Sequence, residues 1–185
     1  IHVLTHDSIG LGEDGPTHHG VFDLAYLRQI PNMIVMAPKD ENELQHMLYT
    51  ALDCGWPAAV RYPRGEGLGV AMDDKLQKLA IGKGELLADC GEIILLAVGS
   101  MVAVAEEAAQ LLERRYGLKT TLINARFVKP LDEELILTQA VQKKLVVTME
   151  EGILAGGFGS AVLELLNAKG HLMPPVLCIG IEDGF

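Results

Sequence analysis

The sequence predicts an α/β protein whose mostly parallel sheet is covered by helices on both faces. Short apolar runs of strand length, such as residues 93–98, alternate with amphipathic stretches of about 12 residues. These runs are apolar throughout, which is typical of strands buried on both faces. With 185 residues and 49% hydrophobic residues, the chain can bury one large core or two small ones.

The first part of the chain has three predicted strands, at residues 1–4, 33–36 and 58–62. The helix between the last two has the clearest signal, because Asp40 precedes Glu43 by three residues, as in a capping box. One apolar face then follows at helical spacing: Leu44, Met47, Leu48, Ala51 and Leu52. Residues 64–82 mix glycines and charges with little periodicity, which is typical of a linker.

After the linker the pattern restarts, with predicted strands at residues 85–88, 93–98, 120–124, 145–149 and 176–181. Ser100 and Asp132 are predicted N-caps of two helices, and residues 157–168 form a third. The helix after Ser100 has a predicted buried stripe: Val104, Ala105, Ala108, Leu111 and Leu112. We therefore expect one domain at residues 1–72, a linker at 73–82 and a second domain at 83–185.

Charge and cysteine content exclude several classes of protein. Lys plus Arg total 15 against 25 for Asp plus Glu, and the net charge of -10 disfavours binding to nucleic acids. Cys54, Cys90 and Cys178 lack CxxC spacing, so a reducing cytoplasm fits better than a disulfide scaffold. No apolar run approaches the roughly 20 residues of a membrane span. The chain opens and stops close to predicted strands, so we expect a fragment.

The loop after the first strand concentrates groups that can carry chemistry. Six acids, bases or ligands are interleaved there with glycines: His6, Asp7, Glu13, Asp14, His18 and His19. Loops at the carboxyl ends of parallel strands normally bind ligands. A solvated polar loop is the alternative, and a metal site is less favoured because the spacing fits no HExxH or EF-hand pattern.

Residues 5–20 (THDSIGLGEDGPTHHG) resemble the acceptor-channel loop of the transketolase family. From Val21 onward the chain is similar to the deoxyxylulose-phosphate synthases of that family, in FDLAYLRQIPNMIVMAPKDENEL (22–44), AVRYPRG (59–65), ARFVKPLDEELI (125–136) and VTMEEGILAGGFGS (147–160). The resemblance implies the latter part of a pyrimidine-binding domain of the thiamine-diphosphate fold. A transketolase C-terminal domain, a three-layer α/β/α unit, would follow it.

For the whole enzyme, the resemblance implies a homodimeric transferase that joins pyruvate and glyceraldehyde 3-phosphate with loss of carbon dioxide, using thiamine diphosphate and Mg²⁺. The family's GDG motif with its Asn pair does not occur in this sequence. We therefore expect the main cofactor contacts to lie outside the chain, and the chain alone to be inactive and to bind no cofactor. A transketolase, or a non-catalytic half of a split enzyme, is the alternative.

The resemblance also implies roles for individual residues. His18 would transfer a proton near the reacting carbonyl, and Asp14 would accept a hydrogen bond from the acceptor's hydroxyl group. His6 and Arg64 would hold the acceptor's phosphate, and no metal ligand is implied. Asp7 stands where the synthases usually carry an arginine that helps to hold that phosphate.

Two other motifs near residue 155 are given a structural interpretation. The glycines Gly156, Gly157 and Gly159 are predicted to allow close packing at a helix start rather than to bind a nucleotide. Glu150 and Glu151 are predicted to be a solvated pair that opens a loop.

Overall fold

Two β-sheets organise the computed structural model, which describes residues 15, 18–168 and 173–183 and the backbone of residues 2–5. The first half contributes β1 (His2–Thr5), α1 (Asp23–Leu27), β2 (Ile34–Met36), α2 (Glu41–Asp53) and β3 (Ala58–Arg61). The second half contributes β4 (Glu85–Ala88), β5 (Ile93–Ala97), α3 (Met101–Tyr116), β6 (Thr120–Asn124), β7 (Phe127–Lys129), α4 (Glu133–Ala140), β8 (Leu145–Ile153), α5 (Phe158–Ala168) and β9 (Val176–Ile181).

The first sheet has the strand order β1-β3-β2-β7. Strands β1 and β2 run parallel to β3, and β7 pairs antiparallel with β2. The sheet thus takes one strand from the second half of the chain. The sequence pattern does not predict β7, because its three residues are fewer than a recognisable strand pattern needs.

The second sheet has the strand order β4-β6-β5-β8-β9. Strand β5 runs parallel to β6 and β8, β9 runs parallel to β8, and β4 is antiparallel to β6. Central strands β5 and β6 are buried almost throughout. The unbroken apolar run of β5 predicts this burial, whereas β6 also buries three polar side chains, Thr120, Thr121 and Asn124.

Helices cover both faces of both sheets. A central apolar cluster joins residues of α1, α4 and α5 with residues from each sheet. Two further clusters pack α2 on the other face of the first sheet and α3 on the other face of the second. The predicted α/β class with mostly parallel sheets is confirmed. Within the described ranges, no helix is long and apolar enough to cross a membrane.

Two of the three predicted helix caps are confirmed. The Asp40 carboxylate accepts a hydrogen bond from the Glu43 backbone N–H at 2.7 Å, and Asp132 accepts one from Leu135 at 3.2 Å. Ser100 does occupy the predicted N-cap position of α3, but its side chain makes no capping bond. The Ser100 hydroxyl instead donates to the carboxylate of Glu151 at 2.7 Å, a partner that local sequence cannot reveal.

The predicted apolar stripes are partly wrong. In α2, Met47 and Ala51 are buried, but Leu52 is 72% exposed. In α3, Val104 and Leu111 are exposed, and Val102 and Ala105 are buried. Both helices carry more apolar residues than one face can hold, so the packing against the sheet decides which of them are covered.

The predicted linker is held against α2. One Glu41 carboxylate accepts the backbone N–H groups of Leu68, Gly69 and Val70 at 2.6–3.0 Å. Farther along the helix, the His46 ring contacts Asp73, and Thr50 Oγ1 accepts the N–H of Leu79 at 2.9 Å. This segment is therefore fixed by side chains on successive turns of α2. The domain boundaries at 72 and 83 stay a prediction.

Candidate functional site

A cleft of about 500 Å³ opens where β2, β3 and β5 reach their carboxyl ends. Its lining includes residues from the loops after these strands and from the start of α2: Pro38, Lys39, Asp40, Glu41, Leu44, Tyr62, Pro63, Arg64, Gly65, Glu66, Gly67, Leu68 and Ser100. Ligands of parallel α/β sheets bind at this edge. Because Ser100 belongs to the second half of the chain, both halves build the cleft.

The two arginines of the RYPRG motif have different environments. Arg64 is exposed and lies on the wall of the cleft. Arg61, at the end of β3, has a side chain that is only 3% exposed and points to partners inside the protein. Arg64 is therefore placed where it can meet a bound anion, and its role in holding a phosphate stays a prediction.

Lys39 is the other cation among the described residues of the cleft wall. Its ammonium group donates to Glu85 at 2.7 Å. Burial alone would lower the pKa of Lys39, but the hydrogen bond that Lys39 donates to Glu85 and the nearby negative charges outweigh it and raise the pKa above its ordinary value. Lys39 is thus charged and committed to an internal partner.

Two carboxylates at the cleft are engaged by backbone N–H groups. Asp40 caps α2, and Glu41 accepts three N–H groups from the segment beyond the cleft. Hydrogen bonds from its own N–H and from those of Gly69, Leu68 and Val70 lower the pKa of Glu41 below its ordinary value. The negative charge of Glu41 therefore persists into mildly acidic solution.

Only some of the predicted loop residues belong to the part of the chain that the structure describes. His6, Asp7 and Asp14 lie outside the described residues. His18 is exposed, and its backbone N–H donates to Gly15 O at 3.1 Å. Neither His18 nor His19 is among the described residues that line the cleft. The structure therefore does not bring His18 and Arg64 together in this cleft, and the roles of the loop residues stay predictions.

A buried ion network beside the cleft was not predicted from sequence. The Arg61 guanidinium donates to Asp23 Oδ2 at 3.1 Å, to Glu151 Oε2 at 3.3 Å and to Glu151 O at 2.7 Å. Ser100, on the cleft wall, donates to the same Glu151 oxygen at 2.7 Å. Each charge lies in a quoted motif, but the partners are far apart in sequence, so spacing gives no signal.

The prediction that Glu150 and Glu151 form a solvated pair is wrong. Strand β8 extends to Ile153 and carries both residues inward, and Glu150 is only 2% exposed. Its carboxylate accepts the backbone N–H groups of Phe158 and Gly159 at 2.8 Å, at the start of α5. The removal of water from the carboxyl group raises the pKa of Glu150, although these hydrogen bonds and nearby arginines oppose the effect.

We expect Glu150 to make the fold less stable as the pH rises. Since its pKa is higher in the folded chain than its ordinary value of 4.5, the folded state binds more protons between the two values. The contribution of Glu150 to stability is therefore full below 4.5 and is lost as the pH rises through the folded pKa.

Urea denaturation of the wild type and of Glu150→Gln, which cannot ionise, measures this effect. The free energy of unfolding of the wild type relative to the variant should fall between about pH 4 and about pH 8. The exposed Glu107→Gln substitution controls for the loss of one charge. A difference that stays constant over this pH range would contradict the assignment.

No metal site is evident in the described ranges. No group of three or more His, Cys, Asp or Glu side chains there could hold a metal ion. The described residues therefore offer no cluster that fits a Mg²⁺ ion.

Two family models match the chain. The model for the transketolase pyrimidine-binding domain matches residues 1–68, and the model for the transketolase C-terminal domain matches residues 82–184. The second match alone spans more than half of the chain.

Curated relatives agree with these matches. The chain is 58% identical over 175 residues to a 1-deoxy-D-xylulose-5-phosphate synthase of Pelotomaculum thermopropionicum, covering 95% of this chain and 27% of the relative. It is 56% identical over 183 residues to the enzyme of that name from Symbiobacterium thermophilum, covering 99% of this chain and 28% of the relative. The chain thus spans little more than a quarter of the length of these relatives.

Solved structures share the arrangement of both halves. A split-gene transketolase, described as an inactive β4 tetramer, matches with a TM-score of 0.87 and 31% identity, over 100% of this chain and 58% of that one. The transketolase of Campylobacter jejuni matches with a TM-score of 0.69 and 25% identity, over 96% of this chain and 26% of that one. By its family models, its relatives and its fold, the chain belongs to the transketolase family.

Proposed function

We propose that this chain is part of a transferase that forms 1-deoxy-D-xylulose 5-phosphate from pyruvate and glyceraldehyde 3-phosphate, for the synthesis of isoprenoid precursors, thiamine and pyridoxal. The relatives that carry this synthase's name support the reaction. The position of Arg64 supports a role of this chain in that reaction. Its exposed guanidinium lies on the wall of a cleft at the carboxyl edge of parallel strands.

Arg64 holds the phosphate of the acceptor in this proposal. A guanidinium donates two parallel hydrogen bonds to a phosphate and stays charged at every relevant pH. A chain with a net charge of -10 needs such a local cation to attract a phosphorylated substrate. Arg64 holds this phosphate together with His6, and its guanidinium lies exposed on the cleft wall.

His18 and Asp14 act on the acceptor's reactive end in the same proposal. Histidine is the side chain that most often exchanges protons with a substrate, and a carboxylate accepts a hydrogen bond from a hydroxyl group. His18 is exposed, and its backbone N–H donates to Gly15 O. Both residues belong to the loop that leads into α1.

Thiamine diphosphate and Mg²⁺ serve the complete enzyme in this proposal. They are held by parts of the enzyme outside this chain, because the GDG motif does not occur in the sequence. The enzyme is a homodimer in a reducing cytoplasm, without nucleic-acid or membrane partners, and the free thiols of Cys54, Cys90 and Cys178 support that compartment.

In the complete enzyme, Arg64→Ala is expected to lower kcat/KM for glyceraldehyde 3-phosphate about 30-fold, because the charged phosphate loses its partner. An unphosphorylated aldehyde acceptor should be affected far less. Steady-state kinetics with both acceptors measures the difference, and Arg115→Ala, an exposed arginine at the end of α3, is the matched control. Equal losses for both acceptors would assign Arg64 a structural role instead.

Two other functions have specific support. The transketolase-like residues 5–18 favour two-carbon ketol transfer, which would proceed from a ketose phosphate without release of carbon dioxide from pyruvate. The likeness to a split-gene transketolase favours a half-enzyme that needs a second chain. Measuring carbon dioxide release from pyruvate distinguishes the synthase from a ketol transferase, which releases none. A neighbouring reading frame that encodes the GDG motif with its Asn pair would support the half-enzyme.

A further inference from the structure

Three segments that bear candidate site residues meet at the side chain of Arg61. Strand β3 ends at Arg61 and leads directly to Arg64 on the cleft wall. Asp23 begins α1, which follows the loop of Asp14 and His18. Glu151 lies in β8 and accepts the hydroxyl of Ser100, another cleft residue. One guanidinium thus links the acceptor cleft with the candidate catalytic loop.

The geometry of this junction uses several donors of the guanidinium. Its Nε faces Asp23, and its two terminal nitrogens face the carboxylate and the backbone carbonyl of Glu151. Asp23 is buried and also accepts the N–H of Leu24 at 2.8 Å, so its carboxylate has a fixed position. An ammonium group donates from a single nitrogen, so it cannot reproduce the spacing of the three guanidinium nitrogens that make these bonds.

A second contact joins two of these elements, β8 and α1, independently of the charges. The N–H of Ile153, at the end of β8, donates to Val21 O at 2.8 Å, just before α1. The end of β8 and the start of α1 would therefore stay near each other without Arg61. The guanidinium adds a constraint on their relative positions. Its bonds hold the end of β3 and the first residue of α1, and they also hold Glu151, which in turn binds Ser100 on the cleft wall.

We infer that Arg61 is a positioning residue for the acceptor cleft, acting through the place it gives to Arg64 and Ser100. This inference rests on the proposed function, in which Arg64 holds the acceptor's phosphate. Arg61 is buried and does not line the cleft, so it does not touch the acceptor. Its effect should therefore appear in the binding of the phosphorylated acceptor and should depend on Arg64.

The test is a double-substitution cycle in the complete enzyme, with Arg61→Lys, Arg64→Ala and both together. Arg61→Lys keeps the positive charge and most of the side-chain volume, but it loses the planar guanidinium and its separate N–H donors. It should raise KM for glyceraldehyde 3-phosphate about 10-fold, since displacements of about 1 Å in a site cost up to about 100-fold. The kcat and the KM for pyruvate should change much less. In the Arg64→Ala background, Arg61→Lys should have almost no further effect on the acceptor.

Two results would overturn the inference. One is a loss of equal size for phosphorylated and unphosphorylated acceptors in Arg61→Lys, and the other is an effect that simply adds to that of Arg64→Ala. If Arg61→Lys does not fold, Glu151→Gln gives the same cycle, because it keeps the shape of the side chain and weakens the bond to Arg61. The Arg64→Ala variant alone reports on the proposed function, so the failure of that function is recognised separately.

Discussion

Glu43→Ala is expected to lower the free energy of unfolding by about 3–5 kcal/mol, the range for breaking a buried ion pair. The Glu43 side chain is 4% exposed. One of its oxygens accepts from Arg126 Nε at 2.6 Å and from Asn124 Nδ2 at 2.9 Å, and the other accepts from the Lys39 backbone N–H at 2.8 Å. Alanine leaves these donors in the interior without that acceptor, and it breaks a link between the two halves of the chain.

Urea denaturation of the wild type and the variant measures this loss. Glu134→Ala is the matched control, because Glu134 also pairs with a cation, Lys83 at 2.9 Å, but is 82% exposed. A pair in solvent contributes at most about 1 kcal/mol, so the control should unfold almost like the wild type. If both variants lose the same small amount, solvent already screens the Glu43 network.

Gly157→Ala is expected to lower the free energy of unfolding by about 3 kcal/mol, at the upper end of the range for overpacking a core. A methyl group at Gly157 would lie 2.4 Å from Ile153 O and 2.4 Å from the Glu150 carboxylate. The first is a backbone atom that cannot turn away, and the second is held by two N–H groups at the start of α5. The predicted close packing at a helix start is confirmed for Gly157 and Gly159, and it is wrong for Gly156, which serves a backbone with positive φ.

Gly156→Ala is the control for this substitution, because it changes the neighbouring residue in the same loop. Gly156 has a positive φ of 76°, and a methyl group there would meet only Ala25 Cβ at 3.7 Å. Gly156→Ala should therefore lower the free energy of unfolding only by the backbone strain of a left-handed residue, about 1 kcal/mol. Urea denaturation curves give the free energy of unfolding of both variants. If Gly156→Ala loses more stability than Gly157→Ala, α5 can shift away from β8 to make room for the methyl group.

Local chemistry explains why much of the fold can be predicted from the sequence. Strands β4, β5, β6 and β9 lie within one residue of their predicted positions. Strand β5 is the clearest case, because an unbroken apolar run is typical of a strand buried in a parallel sheet. Asp40 and Asp132 cap their helices, since the N–H groups that they accept lie three residues ahead on the same segment. Arg64 was identified by its motif, and the structure places it on a cleft wall.

The sequence by itself determined the α/β class, the order of most elements and the candidate phosphate-binding arginine. Only the tertiary structure decided that β7 joins the first sheet, that Ser100 turns to Glu151 and that Glu150 is buried. It also decided the partners of Arg61, which are 38 and 90 residues away along the chain. The physical reason is range: caps and strand patterns depend on neighbours in sequence, whereas the burial and pairing of a charge depend on which distant segments the packing brings against it.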